Sequence, residues 1–215
     1  MRNLLKKELR LALHPTAPIF LLLSAMLLIP NYPYLVIFFY TGLSVFFTCL
    51  TGRENHDIDY TMLLPVAKRD VVRSRILMVS LLEIVQLLVA IPFAILRQKL
   101  IPEPNAAGMD ANISLFALAL VEMGLFNWVF FRSYYRDVQK VGTSFLKSTV
   151  AIFLYITVTE AMTYILPLMR DALDTPDPEH LPAKLIALLA GATLYALMTW
   201  GAARASERSF ERQDL

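Results

Sequence analysis

The sequence predicts an all-α, polytopic membrane protein with six transmembrane helices, preceded by an N-terminal amphipathic helix at the membrane interface. Composition is the first indication: 57% of the 215 residues are hydrophobic and 18% are charged, against roughly 45–50% and about 25% in a soluble domain. The apolar residues are concentrated in long blocks, most of them near the ~20 residues that cross a bilayer. Apart from Lys184, near the start of the last block, Lys and Arg lie outside the blocks, and they are unevenly shared among the connecting and terminal segments.

Residues 1–15 are predicted to form the amphipathic helix. At 100° per residue, Lys6, Lys7 and Arg10 lie on one side and a set of leucines on the other. A basic amphipathic helix before a span is typical of a segment that lies among anionic headgroups; the alternative is that the positive charge only sets topology. Glu8 projects from the apolar side, which a short helix at an aqueous boundary tolerates.

Six apolar blocks are predicted to be the spans. At ~1.5 Å rise per residue, most can cross a hydrocarbon core of ~30 Å. The first block is short and bounded by prolines, so it crosses fully only with its flanks or as a tilted hairpin with the second. The predicted spans lie near residues 18–30, 32–50, 76–96, 113–131, 148–169 and 181–203.

The distribution of positive charge predicts the orientation. Alternate connecting segments hold sixteen Lys and Arg residues, and the other segments hold four. The positive-inside rule places the rich set, which includes both termini, in the cytoplasm. We expect the membrane to be a bacterial inner membrane, as the family resemblance given below implies. A cleaved signal peptide is disfavoured, because no small-residue cleavage site follows the first block and a second block begins at Tyr32.

Motifs for catalysis and cofactor binding are missing from the sequence. It has no G-x-x-x-x-G-K-[ST] loop, no G-x-S-x-G elbow and no H-E-x-x-H pair. His14, His56 and His180 fall on opposite faces in the predicted topology, which argues against a metal centre built from all three. Cys49 is the single cysteine, so no disulfide forms within the chain. We predict no catalytic, cofactor or metal site, and therefore no enzyme.

The segment 51–75, predicted to be cytoplasmic, has three parts: an acidic cluster, an apolar group and a basic run. Pro65 allows one helix to end before it and another to begin after it. An apolar group between charged stretches needs a covered surface. It either packs on the chain's own helix ends or docks another protein.

This segment and both termini resemble type-2 ATP-binding-cassette (ABC) exporter permeases, in particular the short, six-span bacterial half-transporters. The resemblance is carried by K-K-E-L-R-L-A-L-H-P-T at 6–16, G-R-E-N-x-D at 52–57 and L-L-P-V-x-K-R-D at 63–70. The ending S-F-E-R-Q-D-L at 209–215 is similar to endings in that group.

The resemblance implies a permease that dimerises with a second copy or with a paralogous permease. A coupling helix from the 51–75 loop would enter a cleft on a separate cytoplasmic ABC ATPase, which would bind the ATP; no nucleic acid is implied. Relatives export antibiotics, amphipathic peptides, lipids or glycans, so the resemblance leaves the substrate open. By position, the implied coupling residues are Glu54, Asp57, Asp59, Tyr60, Leu63, Leu64 and Pro65.

Carboxylates also lie within three predicted spans, and no Lys or Arg shares those spans. A charge at the bilayer centre costs on the order of 2.5–3.5 kcal/mol, so protonation or hydrogen bonding must offset it. Helical spacing predicts polar neighbours for two of the carboxylates, on a face turned to the bundle. These carboxylates either fix helix packing through interhelical hydrogen bonds, or they contact a substrate or take part in proton transfer. The intramembrane polar residues are Glu83, Gln86, Glu122, Thr157, Glu160 and Tyr164.

Two other function classes remain open on the sequence alone. An ion- or proton-coupled secondary carrier would use the three glutamates and would work without an ATPase. A membrane anchor or assembly factor would tolerate replacement of all three.

Overall fold

The computed structural model describes residues 2–213, and every regular element in that range is helical. Among these residues, five helices are long and apolar enough to cross a membrane, or six if the bent N-terminal pair forms one span. The all-α membrane fold is therefore confirmed. In order, the elements are α1 (Arg2–Lys7), a π-helical turn (Glu8–Ala12), α2 (Ala17–Leu22), a 3-10 segment (Leu23–Leu28), α3 (Leu35–Glu54), α4 (Asp57–Met62), α5 (Lys68–Leu100), α6 (Ile113–Tyr134), α7 (Val141–Ile165), a second π-helical turn (Met169–Leu173) and α8 (Leu181–Glu211).

The N-terminal segment lies across the bundle. The stretch Arg2–Ala12 meets the following stretch Ala17–Leu28 at 82°. Leu4, Glu8 and Ala12 face the bundle and are buried, while Lys6 and Arg10 are exposed.

The first apolar block extends over about the same length along the bundle as the neighbouring part of α3. At one end the His14 N–H donates to Thr48 Oγ1 at 3.1 Å, and at the other Asn31 Oδ1 accepts from the Ala106 N–H at 3.0 Å. Six α-helical residues at ~1.5 Å and six 3-10 residues at ~2.0 Å give roughly 21 Å. The stretch of α3 between Tyr34 and Thr48 covers a similar rise, so the 3-10 segment lengthens a block that is short in residues.

The fifth predicted span is displaced relative to the sequence-based boundaries. Its helix begins at Val141 and ends at Ile165, instead of running from 148 to 169. Pro167 explains the early end, because the residue before a proline avoids the α region; Leu166 is extended, with φ −89° and ψ 119°.

Helix α6 occupies the centre of the bundle, where it packs against α3, α7 and α8. Its contact with α8 is close because of small residues: a Cβ on Gly191 would meet the backbone of Ala117, and one on Gly124 would lie 3.0 Å from Tyr195 Cα. Small residues at such crossings let helix backbones approach.

Residues 101–112 close one end of the bundle, and we call them the outer cap. Met109 is fully buried, and Asn105 is held by bonds from its Nδ2 to the carbonyls of Tyr32 (2.9 Å) and Met109 (3.1 Å). Asn112 caps the start of α6 by accepting from the Leu115 N–H at 3.1 Å. The cap therefore joins the loop before α3 to the start of α6.

Candidate coupling surface and intramembrane polar sites

Helix α4 lies in the middle of the predicted coupling segment. His56, at its N-cap, adopts a left-handed conformation (φ 52°), which turns the chain sharply after α3. Tyr60, Leu63 and Leu64 then project from the protein with 67%, 81% and 56% of their surface exposed. We call these three residues the apolar knob; Pro65, which follows it, is also exposed.

A buried ionic cluster lies beneath the knob and anchors it. Arg75, on α5, contacts the Glu8 carboxylate and donates to Asp57 Oδ2 at 2.7 Å. Lys7 Nζ lies 2.6 Å from Asp57 Oδ1 and 3.1 Å from Glu8 Oε1. Three segments distant in sequence therefore meet at one set of charges. Glu8 lies on the same buried side of the N-terminal segment as Leu4 and Ala12, and its side chain is 1% exposed and paired with Arg75.

The remaining predicted coupling residues lie at the edge of this site. Glu54 is exposed and 3.8 Å from Arg53, and the Asp59 carboxylate lies 2.9 Å from His56 Nδ1. Within the predicted coupling set, Asp57 thus faces inward to the ionic cluster, whereas the knob and the other two acids face outward.

A cleft of ≈ 270 Å³ separates the N-terminal segment from α4. Leu11, which is 80% exposed, forms one wall, and Tyr60 and Leu64 form the other. The cleft extends the apolar surface of the knob toward the N-terminal segment.

Glu83 lies inside the bundle with partners that the sequence did not reveal. Its Oε2 accepts from Asn127 Nδ2 at 2.9 Å and from the Tyr195 hydroxyl at 2.7 Å. Gln86, predicted as its neighbour, donates instead to Ser24 Oγ at 2.8 Å. These bonds join α5 to α6 and α8, and α5 to the 3-10 segment.

Glu122, on α6, is 1% exposed, and neither of its carboxylate oxygens has a hydrogen-bonding partner in the described chain. Glu83 and Glu122 both line one small cavity between α3, α5, α6 and α7. The two glutamates therefore share a space but have different surroundings.

Glu160 contacts the outer cap: its Oε2 accepts from the Met109 N–H at 2.9 Å. The predicted single polar face around it is wrong. Thr157 is exposed and donates to Phe153 O, while Tyr164 is 53% exposed and donates to Ala106 O. Thr157 and Tyr164 therefore turn outward, whereas Thr163, three positions after Glu160, is buried with it.

Two acids outside the spans complete the closed end. The Asp174 carboxylate accepts from the Asp110 N–H at 2.7 Å. Burial raises the pKa of Asp174 to about 6, and burial also raises the pKa of Asp110. Proximity to each other contributes to the Asp174 shift, because two carboxylates disfavour simultaneous ionisation.

An apolar groove of ≈ 490 Å³ opens between α5, α6 and α8 on the side of the outer cap. Its walls include Leu87, Ile91 and Phe116, and Gln98 and Asp177 lie at its polar end. The groove thus combines an apolar wall with a hydrogen-bonding edge.

A comparison with known protein families identifies the family of this chain. The family model described as "ABC-2 family transporter protein" matches residues 3–201, from the N-terminal segment to the last membrane helix. The chain belongs to the ABC-2 transporter family. It is a multi-pass membrane protein and an ABC-2 permease, as the 6–16, 52–57 and 63–70 motifs predicted. No curated protein and no solved structure matches this permease.

Sequence reasoning missed the partners that lie far away along the chain. Lys7 was assigned to the lipid interface, but it also belongs to the ionic cluster with Asp57. Asn127 and Tyr195 were not singled out, although both donate to Glu83. A polar Asn in the middle of an apolar block was the one available signal.

Proposed function

We propose that this ABC-2 permease is the membrane subunit of an exporter, driven by a separate cytoplasmic ABC ATPase that docks on the apolar knob. The observation that carries the proposal is the knob itself: three large apolar side chains project outward from α4 and the turn that follows it, and a buried ionic cluster fixes α4. Exposed apolar groups on a rigid support are typical of protein contact sites.

The ionic cluster connects docking to the membrane helices. Arg75 belongs to α5, Asp57 to α4 and Glu8 to the N-terminal segment. A displacement of α4 by the ATPase would therefore act directly on α5 and on the interfacial segment. In this proposal the permease hydrolyses nothing and holds no cofactor, because ATP is bound by the partner.

The translocation path would form between this chain and a second copy or a paralogous permease. The orientation with both termini in the cytoplasm of a bacterial inner membrane is supported by the sixteen-to-four distribution of Lys and Arg. The groove between α5, α6 and α8 supports an amphipathic substrate, such as a peptide, an antibiotic or a lipid-like molecule, because its apolar wall ends at Gln98 and Asp177.

The docking proposal is tested by replacing both Leu63 and Leu64 with Asp. The double variant should insert normally, because both side chains are exposed, yet lose association with the ATPase. The measurement is recovery of a nucleotide-hydrolysing subunit with the purified permease. Leu100→Asp is a matched control, since Leu100 is 64% exposed at the other end of α5; it should retain the ATPase. Full recovery with the double variant would refute the docking site.

Orientation is tested separately with reporter fusions. Fusions after Asn105 and after Asp174 should report the outside, and fusions at Lys140 and at the C terminus should report the cytoplasm. A cytoplasmic signal at Asn105 would overturn the proposed topology.

A further inference from the structure

The cavity between Glu83 and Glu122 lies among membrane-spanning helices. α3 contributes Thr41 and Gly42, α5 contributes Glu83, α6 contributes Glu122, and aromatic and aliphatic side chains complete the wall. The space open to the centre of a water molecule is ≈ 10 Å³, about what a single buried water requires.

The cavity is lined by more oxygen atoms than the protein satisfies. Both carboxylate oxygens of Glu122 and the hydroxyl of Thr41 are buried without a hydrogen-bonding partner in the described chain. A buried polar group without a partner costs about 1–3 kcal/mol. One water with two to four polar neighbours would satisfy these groups, and the cavity presents three such neighbours: Glu83, Glu122 and Thr41.

The surroundings of Glu83 and Glu122 differ, and the difference indicates which of the two carboxyl groups carries the negative charge. Glu83 Oε2 accepts two hydrogen bonds, from Asn127 and Tyr195, and such donors favour the carboxylate form. Glu122 receives none from residues 2–213, so its charged form would be uncompensated there, whereas its acid form can donate a hydrogen bond into the cavity.

In the described part of the chain, the other titratable and charged groups around the pair lie on α5, α7 and α8, and Glu160 is a third carboxylate close enough to act on Glu122. On α5, Arg75 and Arg97 are eight and fourteen residues from Glu83, roughly 12 and 21 Å along the helix axis. On α7, the Tyr155 hydroxyl is occupied by the Leu118 carbonyl at 2.9 Å, and the Glu160 carboxylate faces the outer cap. On α8, Tyr195 donates to Glu83.

We propose that Glu83 and Glu122 form a proton-binding pair in the membrane, in which a Glu83 carboxylate and a Glu122 carboxylic acid are bridged by one water. Two like charges in one small buried cavity would repel, so at most one negative charge is held there. Two carboxylates and one hydroxyl are too few for a divalent cation, which takes six or more oxygens. The pair is independent of the ATPase and of the proposed export function.

Infrared difference spectroscopy of the purified full-length protein at neutral pH tests the assignment. Wild type minus Glu122→Gln should show a carboxylic acid carbonyl band that shifts to lower frequency in D₂O. Wild type minus Glu83→Gln should show a carboxylate band instead. Thr41→Val, which removes a cavity hydroxyl, should keep the Glu122 acid band but change its frequency.

Each other outcome overturns the proposal. Loss of an acid band without a displaced counterpart in both difference spectra would mean that both groups are neutral, and loss of a carboxylate band in both would mean that no proton is held. Exchanged bands would place the proton on Glu83. If Glu122→Gln does not fold, Glu122→Asp keeps the acid group, and its difference spectrum should contain a displaced pair of acid bands. Glu160→Gln, which alters a carboxylate outside the cavity, should leave the Glu122 band in place.

Discussion

The two ends of the helical bundle differ in which side chains they bury. At the predicted cytoplasmic end, charged side chains are buried in the ionic cluster while the apolar knob is exposed. At the outer cap, Met109 is buried and the polar side chains of Asn105 and Asn112 bind backbone carbonyls. Exposed apolar surface is thus found at the end proposed to contact another protein, whereas at the other end the polar groups of the loop are paired within the protein.

The largest effect is expected when a substitution at Arg75 breaks the ionic cluster. Arg75→Gln removes the buried partner of Glu8, which is 1% exposed, and leaves it only the neighbouring Lys7, which is 21% exposed. We therefore expect a stability loss of about 3–5 kcal/mol, typical of a broken buried ion pair. Reversible unfolding in detergent measures the change. Arg69→Gln, at an exposed position of the same helix, is the control and should change stability little. Equal effects would mean that the cluster does not hold this end together.

The next effect concerns the outer cap at Gly108. This residue has φ +151°, and a Cβ would collide with the Glu160 carboxylate. Gly108→Ala should therefore destabilise the protein by about 1–3 kcal/mol. Gly142→Ala is the matched control, because a Cβ there meets nothing within 4 Å; in a helix it should be neutral or stabilise by up to about 1 kcal/mol. The same unfolding assay compares the two, and equal changes would argue against a rigid cap.

The smallest expected effect is a pH dependence specific to the outer cap. The pKa of Asp174 is raised from 3.8 to about 6, so the folded state binds the proton more tightly than the unfolded state. Its contribution to stability is complete below about pH 4 and is lost as the pH rises through about 6. Asp174→Asn should make the decline in melting temperature over this range shallower.

Asp171 provides the control for that measurement. It is exposed, and its hydrogen bond with Arg170 lowers its pKa. Asp171→Asn should therefore not reduce the decline between pH 4 and 6. If it did so as strongly as Asp174→Asn, the pH dependence would not belong to the cap.

The sequence predicted what depends on local composition and missed what depends on distant contacts. Apolar blocks located the spans, and the run from Tyr60 to Pro65 located the knob, because both are continuous in sequence. The contact between Glu8 and Arg75 joins segments 67 residues apart, and no periodicity reports such a pairing. The same holds for Glu83 with Asn127 and Tyr195.

The outer cap illustrates the same limit. Its side chains bind backbone carbonyls, as Asn112 Nδ2 does with Leu173 O at 2.9 Å, and a carbonyl has no residue-specific pattern. The loop therefore appeared as a short connection between spans. Only its asparagines, Asn105 and Asn112, hinted that the backbone around them needed partners.

If the bent N-terminal pair is one span, the short first apolar block makes the protein sensitive to the thickness of its bilayer. Its two helical segments rise roughly 21 Å, against a hydrocarbon core of ~30 Å. A crossing this short is accommodated when lipids thin around it, when flanking side chains reach the headgroups, or when another protein covers its ends. Lipids with longer acyl chains raise the energy of this mismatch by fractions of a kcal/mol per Å. A change in lipid acyl-chain length should thus affect the contact between the N-terminal segment and the bundle without any amino-acid substitution.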